Sequence, residues 1–175
     1  EVPEGIPEDV TVLRQPLDSI YLVATSAMDL FRELDGVGAV TLSGTDVNGW
    51  YIDEAKRAME EGSMVYAGKY SAPDYELILD RGCDLAVEST MIYHSPEVKE
   101  QLERFGVPVL VERSSYESHP LGRMEWIKLY GALLGKEKEA QAYFDGLLER
   151  LAPILEQDNT GKTVAFFFIT PNGGV

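Results

Sequence analysis

Glu117–Leu134, ESHPLGRMEWIKLYGALL, is the stretch on which the fold turns. Pro120 suits the first position of a helix, where no intrahelical N–H bond is lost. Ser118, just before it, offers a capping oxygen. Beyond the first turn, Leu121, Met124, Ile127, Leu129, Tyr130, Leu133 and Leu134 cover most of the helix circumference. A helix that is apolar nearly all round is buried on several sides. Upstream the chain alternates strand-like and helix-like segments; downstream come one amphipathic helix and one further strand. The stretch therefore predicts the start of a stiff helical connector leaving one α/β domain for another. The expected organisation is an N-terminal α/β lobe over 1–119, a connector over 120–157, and the first strand of a truncated C-terminal lobe over 163–175.

Upstream, Ile20-Tyr21-Leu22-Val23-Ala24 is a continuous apolar run, the pattern of a strand covered on both faces. Ser26 follows as the expected cap of a helix over 27–34, with Gly36 and Gly38 ending it. Further strands are expected at 39–42, 64–67, 84–88 and 107–111, and a short edge strand near Val10–Leu13. Helices are expected at 52–61, 75–81 and 97–105, the last entered through Ser95-Pro96. This order is the signature of a mostly parallel sheet with helices on both faces. From Glu137 to Leu155, apolar residues recur every three or four positions, marking a one-sided helix. A fresh strand is then expected at Val164–Ile169.

Composition narrows the function. Of 175 residues, 45% are apolar and 26% charged, as in an ordinary globular protein. Thirty acidic against fifteen basic side chains give a net charge of −15, and no basic stripe answers a phosphate backbone, so nucleic acid is not an expected partner. Cys83 is the only cysteine; with no base near it in sequence it reads as a small packed residue. No apolar run reaches the length of a membrane span.

In an open parallel sheet, ligands bind beyond the carboxyl ends of the strands. Those ends are Thr25-Ser26, Ser43-Gly44-Thr45, Thr90-Met91-Ile92-Tyr93-His94 and Arg113-Ser114-Ser115-Tyr116-Glu117. Hydroxyls and aromatic rings together suit a polar ligand held by many donors and by stacking faces. The chain carries no G-x-S-x-G, no G-x-x-x-x-G-K-S/T and no G-x-G-x-x-G after the first strand. His94 and His119 are its only histidines, and both read as solvated loop residues. Arg123 is expected to pair with Glu117 or Glu125.

Three places resemble the solute-binding proteins of ABC importers for iron–siderophore, cobalamin and haem ligands. One is Asp74-Tyr75-Glu76-Leu77-Ile78-Leu79 followed by Gly82-Cys83-Asp84-Leu85-Ala86-Val87, with Cys83 where that family's pattern usually has proline. The second is Tyr116–Trp126, similar to the lead-in of the family's backbone helix. The third is the final strand with Pro171-Asn172-Gly173, similar to the opening of the C-terminal lobe. The resemblance spans the whole chain but only about the first lobe and linker of such a protein.

It implies a binding protein rather than an enzyme, with no intrinsic cofactor. One wall of an interlobe cleft is expected from Ser26, Trp50, Tyr70, Thr90, Met91, Tyr116 and Glu117. By the same resemblance, Glu76 is the carboxylate that meets the permease, and the location is extracytoplasmic, in the periplasm or as a cell-surface lipoprotein held only by an N-terminal anchor outside this sequence. Three rivals remain beside it. One is a receptor for bare metal ions using His94, His119 and Glu117; the second is a fragment of an α/β enzyme whose catalytic residues lie elsewhere; the third is a structural lobe that self-associates through the exposed face of Glu137–Leu155.

Overall fold

Ile20, Tyr21 and Leu22 have no exposed surface at all, so their strand (β1, Ile20–Leu22) sits in the middle of a sheet. In the computed structural model, which describes residues 5–7, 10–158 and 161–165, β1 is flanked by β2 (Val40–Ser43) and β6 (Leu85–Glu88). β3 (Val65–Tyr66) lies outside β2, and β7 (Val109–Val111) outside β6. All four pairings are parallel, with Ile20 opposite Leu85 and Ala86 opposite Val109. A two-stranded hairpin of β4 (Gly68–Lys69) and β5 (Ala72–Pro73) follows β3; the sequence gives it no alternation to announce it. The mostly parallel α/β architecture is thus the one expected from the pattern. Val10–Leu13 form no strand, and Val10 and Val12 stay largely exposed.

Side-chain alternation divides the core in two. Ile20, Leu22, Leu85 and Val87 point to one face; Tyr21, Leu42 and Ala86 point to the other. The first face is covered by α1 (Met28–Glu33), α2 (Asp53–Glu60), α6 (Ile127–Leu134) and the start of α7 (Glu137–Leu155), through Phe31, Ala55, Ile127, Tyr130, Ala140 and Phe144. The second is covered by α3 (Tyr75–Asp80) and α4 (Pro96–Arg104), through Ile78, Val98 and Leu102.

The deciding stretch becomes two helices, α5 (Pro120–Glu125) and α6, interrupted at Trp126. The cap of α5 is His119 rather than Ser118: its Nδ1 accepts the Leu121 N–H at 3.1 Å, because Pro120 is the first helical residue and the cap must directly precede it. α6 is seated by close approach. Phe31 and Tyr130 rings stand 4.9 Å apart at 57°, and a Cβ on Gly131 would come within 2.5 Å of Ala140 Cβ. The Lys136 ammonium donates to the carbonyls of Leu34 and Asp35 at 2.7 and 2.8 Å, neutralising the negative end of α1.

The Tyr130 hydroxyl is buried with no hydrogen-bond partner, and burial beside Glu112 raises its pKa. An unpaired buried donor costs more than an absent one. Tyr130→Phe is therefore expected to raise the unfolding free energy by about 1 kcal/mol, read as a higher urea midpoint at unchanged slope.

The chain divides into two compact units, residues 1–145 and 146–175. The first contains the sheet, α1–α6 and the start of α7, so residues 120–145 belong to the same unit as the strands. In the second, α7 runs on to Leu155 with Pro153 inside it, and Arg150 Nε donates to Gly146 O at 3.2 Å. Most of the strand expected at Val164–Ile169, and the Pro171-Asn172-Gly173 resemblance, lie outside the described residues.

Candidate functional site

Because every strand of the five-stranded sheet is parallel, their carboxyl ends share one edge. Short 3-10 turns leave β1 at Thr25–Ala27, β6 at Thr90–His94 and β7 at Ser114–Tyr116. Ser89 starts the second of these, its hydroxyl accepting the Met91 N–H at 3.3 Å. On this edge stand Tyr51, Tyr66, Met91, Tyr93 and Tyr116, large side chains that a globular surface rarely leaves together and that are 93%, 47%, 45%, 57% and 64% exposed.

Hydrogen bonds tie the turns to one another. Thr90 Oγ1 and Tyr116 OH lie 2.8 Å apart, linking the exits of β6 and β7. Ser26 does not cap a helix as expected; no side chain caps that turn, and the Ser26 hydroxyl donates to Glu112 Oε2 at 2.9 Å. Glu112 is almost fully buried and also accepts the Ser114 N–H at 2.7 Å on Oε1. One carboxylate thus joins the exits of β1 and β7 across the intervening β6. The Arg113 guanidinium lies 5.8 Å from the centre of the Tyr116 ring, within cation–π range.

Among the expected wall residues, Ser26, Thr90, Met91 and Tyr116 come together on this edge. Tyr70 is half-buried at the tip of the β4–β5 hairpin beyond β3. Trp50 departs from expectation. It is 3% exposed, packs in the first core cluster, and donates its Nε1 proton to Ser43 Oγ at 3.1 Å. A Trp in a turn-rich loop reads as a surface ring, but the loop folds it inward because Ser43 supplies the acceptor its indole needs. Glu117 lies in a separate shallow cavity of about 260 Å³ lined by Glu117, Gly122, Glu125, Trp126 and Leu129. There it accepts from Trp126 Nε1 at 2.8 Å, while Glu125 pairs with Lys128, also at 2.8 Å. Arg123 forms neither of the ion pairs expected of it.

His94 is exposed, and His119 is engaged through Nδ1 as a helix cap. Among the described residues no group of three His, Cys, Asp or Glu side chains could hold a metal ion, so His94, His119 and Glu117 are not assembled into a ligand set. Cys83 is buried, donates weakly to Leu85 O at 3.4 Å, and is pushed up to about 11 by burial, as a packed thiol should be. Glu76 is exposed on α3.

One residue of this edge was not singled out from sequence. Glu88, the last residue of β6, has no exposed surface, and neither of its carboxylate oxygens has a hydrogen-bond partner. Burial pushes its pKa up to about 8. The only sequence signal was its place at the end of an otherwise apolar run in the strand beside β1.

No family model matches the chain. An uncharacterized lipoprotein of Methanocaldococcus jannaschii is 21% identical over 164 residues, which cover 88% of this chain and 38% of that protein. Among solved structures, a periplasmic haem-binding protein from Pseudomonas aeruginosa superposes with a TM-score of 0.59 at 19% identity, over 79% of this chain and 46% of that one. The molybdate-binding periplasmic protein MolA of a Haemophilus influenzae ABC transporter gives 0.66 at 12% identity, over 83% and 49%. An ABC-type Fe3+-hydroxamate transport protein from Saccharomonospora viridis gives 0.57 at 21%, over 79% and 50%. The three structures are those of periplasmic binding or ABC-type transport proteins, and the chain spans half or less of each of these proteins. Among the described residues no helix is long and apolar enough to cross a membrane. The likeness is one of fold: this chain shares the α/β architecture of about half of each of these periplasmic and transport proteins, which is the architecture that the resemblance in its residues implies.

Proposed function

We propose that this chain is the N-terminal part of the solute-binding component of an ABC importer. It would offer one wall of a cleft that captures an iron–siderophore, a haem-like ligand or a cobalamin and would hand it to a membrane permease. The observation that carries this reading is the row of exposed rings and hydroxyls along the carboxyl edge of the sheet: Tyr51, Tyr66, Tyr93 and Tyr116, with Thr90 and Ser26 between them. Such rings offer flat apolar faces to an organic chelate, Tyr116 being tied in place by Thr90 and Arg113, and the hydroxyls would fix its orientation. Among the described residues His94, His119 and Glu117 are not brought into one ligand set, which the bare-ion receptor would need. The lipoprotein relative and the periplasmic neighbours support an extracytoplasmic location, and exposed Glu76 is the proposed permease contact, where a charge acts mainly on encounter and orientation.

The test is titration of a ferric hydroxamate, a ferric catecholate, haem, cobalamin and molybdate into two proteins, this chain and the longer protein carrying both lobes. The two-lobed protein is expected to bind one of the organic chelates at least 100-fold more tightly than this chain does, because half of the desolvating surface is missing from the latter. In the two-lobed protein, Tyr93→Ala and Tyr116→Ala are each expected to weaken binding about tenfold, the worth of one lost ring contact. Molybdate as the only tight ligand would replace the chelate reading, and tight stoichiometric binding by this chain alone would sink the split cleft. Glu76→Ala is expected to lower uptake while leaving the affinity unchanged.

A further inference from the structure

Glu88 occupies a place where a carboxylate is costly. It closes β6, next to the central strand, and both its oxygens lie in an apolar setting without a partner. By alternation its side chain lies on the face of Ala86, among the residues under α3 and α4. From β1 it is faced by Tyr21, whose hydroxyl is already donated to Gly68 O at 2.7 Å. On α3, burial raises the pKa of Tyr75, and the charges of Glu97 on α4 and of Glu88 raise it further. On the β7 side the Glu112 N–H donates to the Glu88 carbonyl at 2.8 Å, whereas the Glu112 carboxylate accepts from Ser26 and Ser114. No cation is among the groups acting on it, so nothing nearby compensates an ionised form.

A buried carboxylate in such a place either keeps its proton or reaches water. The strand behind it cannot yield, since Leu85, Ala86 and Val87 are locked between β1 and β7. The segment ahead of it is a single short 3-10 turn at the sheet edge. Ser89–His94 is held by the 3.3 Å Ser89–Met91 bond, by backbone bonds from the Ile92 N–H to Ser89 O at 3.0 Å and from the Ser95 N–H to Ile92 O at 2.9 Å, by the Thr90–Tyr116 hydroxyl pair and by the burial of Ile92, while Met91, Tyr93 and His94 face solvent. We propose that Glu88 is a proton-operated latch beneath this turn: protonated, it keeps the turn seated; losing its proton, it is rehydrated by the turn swinging open. The turn bears Thr90, Met91 and Tyr93, so the latch sets how well ordered the rim is.

The sign follows from linkage. In the open form the carboxyl is hydrated and ionises at its ordinary value, near 4.5, whereas in the closed form it ionises only at about 8. Opening therefore releases a proton between these two values. The opening constant rises about tenfold per pH unit there, and is flat below and above. Acid closes the latch.

Amide hydrogen exchange of residues 89–95 in the full chain, corrected for intrinsic exchange and followed from pH 5 to pH 9, tests it without any ligand, so its outcome is independent of what the rim binds. Protection of that segment is expected to fall about tenfold per pH unit up to about pH 8 and then level off. In Glu88→Gln, which keeps the shape and cannot ionise, the pH dependence is expected to vanish. The same slope in Glu88→Gln, a flat profile in the wild type, or loss of protection spread evenly over the first unit would each overturn the proposal. Should Glu88→Gln not fold, the carbon-13 titration of the Glu88 carboxyl in the wild type decides: a midpoint near 8 supports the latch, and one below 5 removes it.

Discussion

Phe31→Ala is expected to lower the unfolding free energy of the first unit by about 3–5 kcal/mol, with a fall in melting temperature of roughly 10 °C. Phe31 has no exposed surface, sits at the centre of the first core cluster, and meets the Tyr130 ring at 4.9 Å. Truncation removes both its apolar area and the partner of that ring. The surroundings cannot collapse into the space, because Gly36 already admits Leu134 to a distance that would leave no room even for a methyl group, and Lys136 fixes the end of α1. Phe31→Leu, which keeps most of the volume, is expected to cost less than half as much. Urea unfolding of the two variants side by side checks this. Equal losses would mean that the α1–α6 seam is loosely packed.

Trp50→Ala is expected to cost a similar 3–5 kcal/mol, again from a large cavity in the first cluster. It also strips Ser43 Oγ of one of its donors; Ser43 still accepts the Thr45 N–H at 3.0 Å and donates to Thr45 O at 2.6 Å. Trp50→Phe is the milder change: it keeps a ring in place and loses the indole N–H with part of the ring volume, for about 1–2 kcal/mol. Its functional consequence is sharper than its stability one. A buried Trp50 cannot touch a ligand on the rim, so Trp50→Phe in the two-lobed protein should leave ligand affinity within twofold, while Tyr116→Ala should not. A tenfold loss in Trp50→Phe would put the indole back in the cleft wall.

The sheet was legible in the sequence because its strands are wholly buried. Ile20–Leu22 and Leu85–Val87 read as continuous apolar runs, and the turn residues between them fell at helix ends. The hairpin of β4 and β5 escaped because Gly68-Lys69 and Ala72-Pro73 have no alternation, and are held by the positive φ of Gly68 and by Tyr21 OH bonding to Gly68 O. At the rim, the sequence placed hydroxyls and rings on the right edge, since strand ends locate themselves once the strands are known. What it missed depends on which side of the chain a residue faces. Trp50 turned inward, Ser26 turned to Glu112 instead of to its own backbone, and Glu88 went under cover with no partner. No local pattern encodes such choices: the partner of Ser26 lies 86 residues away, that of Trp50 across a turn, and Glu88 has none.

The position of β1 has a consequence for how the molecule is made. Its two neighbours come from very different points of the sequence: β2 soon afterwards, β6 only after three helices and the hairpin have been passed. As the nascent chain leaves the ribosome, one flank of Ile20-Tyr21-Leu22 must wait with open backbone donors and acceptors until Leu85–Glu88 arrives. Pairing so distant in sequence is slow to close, and the waiting strand is the segment that a holdase chaperone or an aggregating copy would meet first.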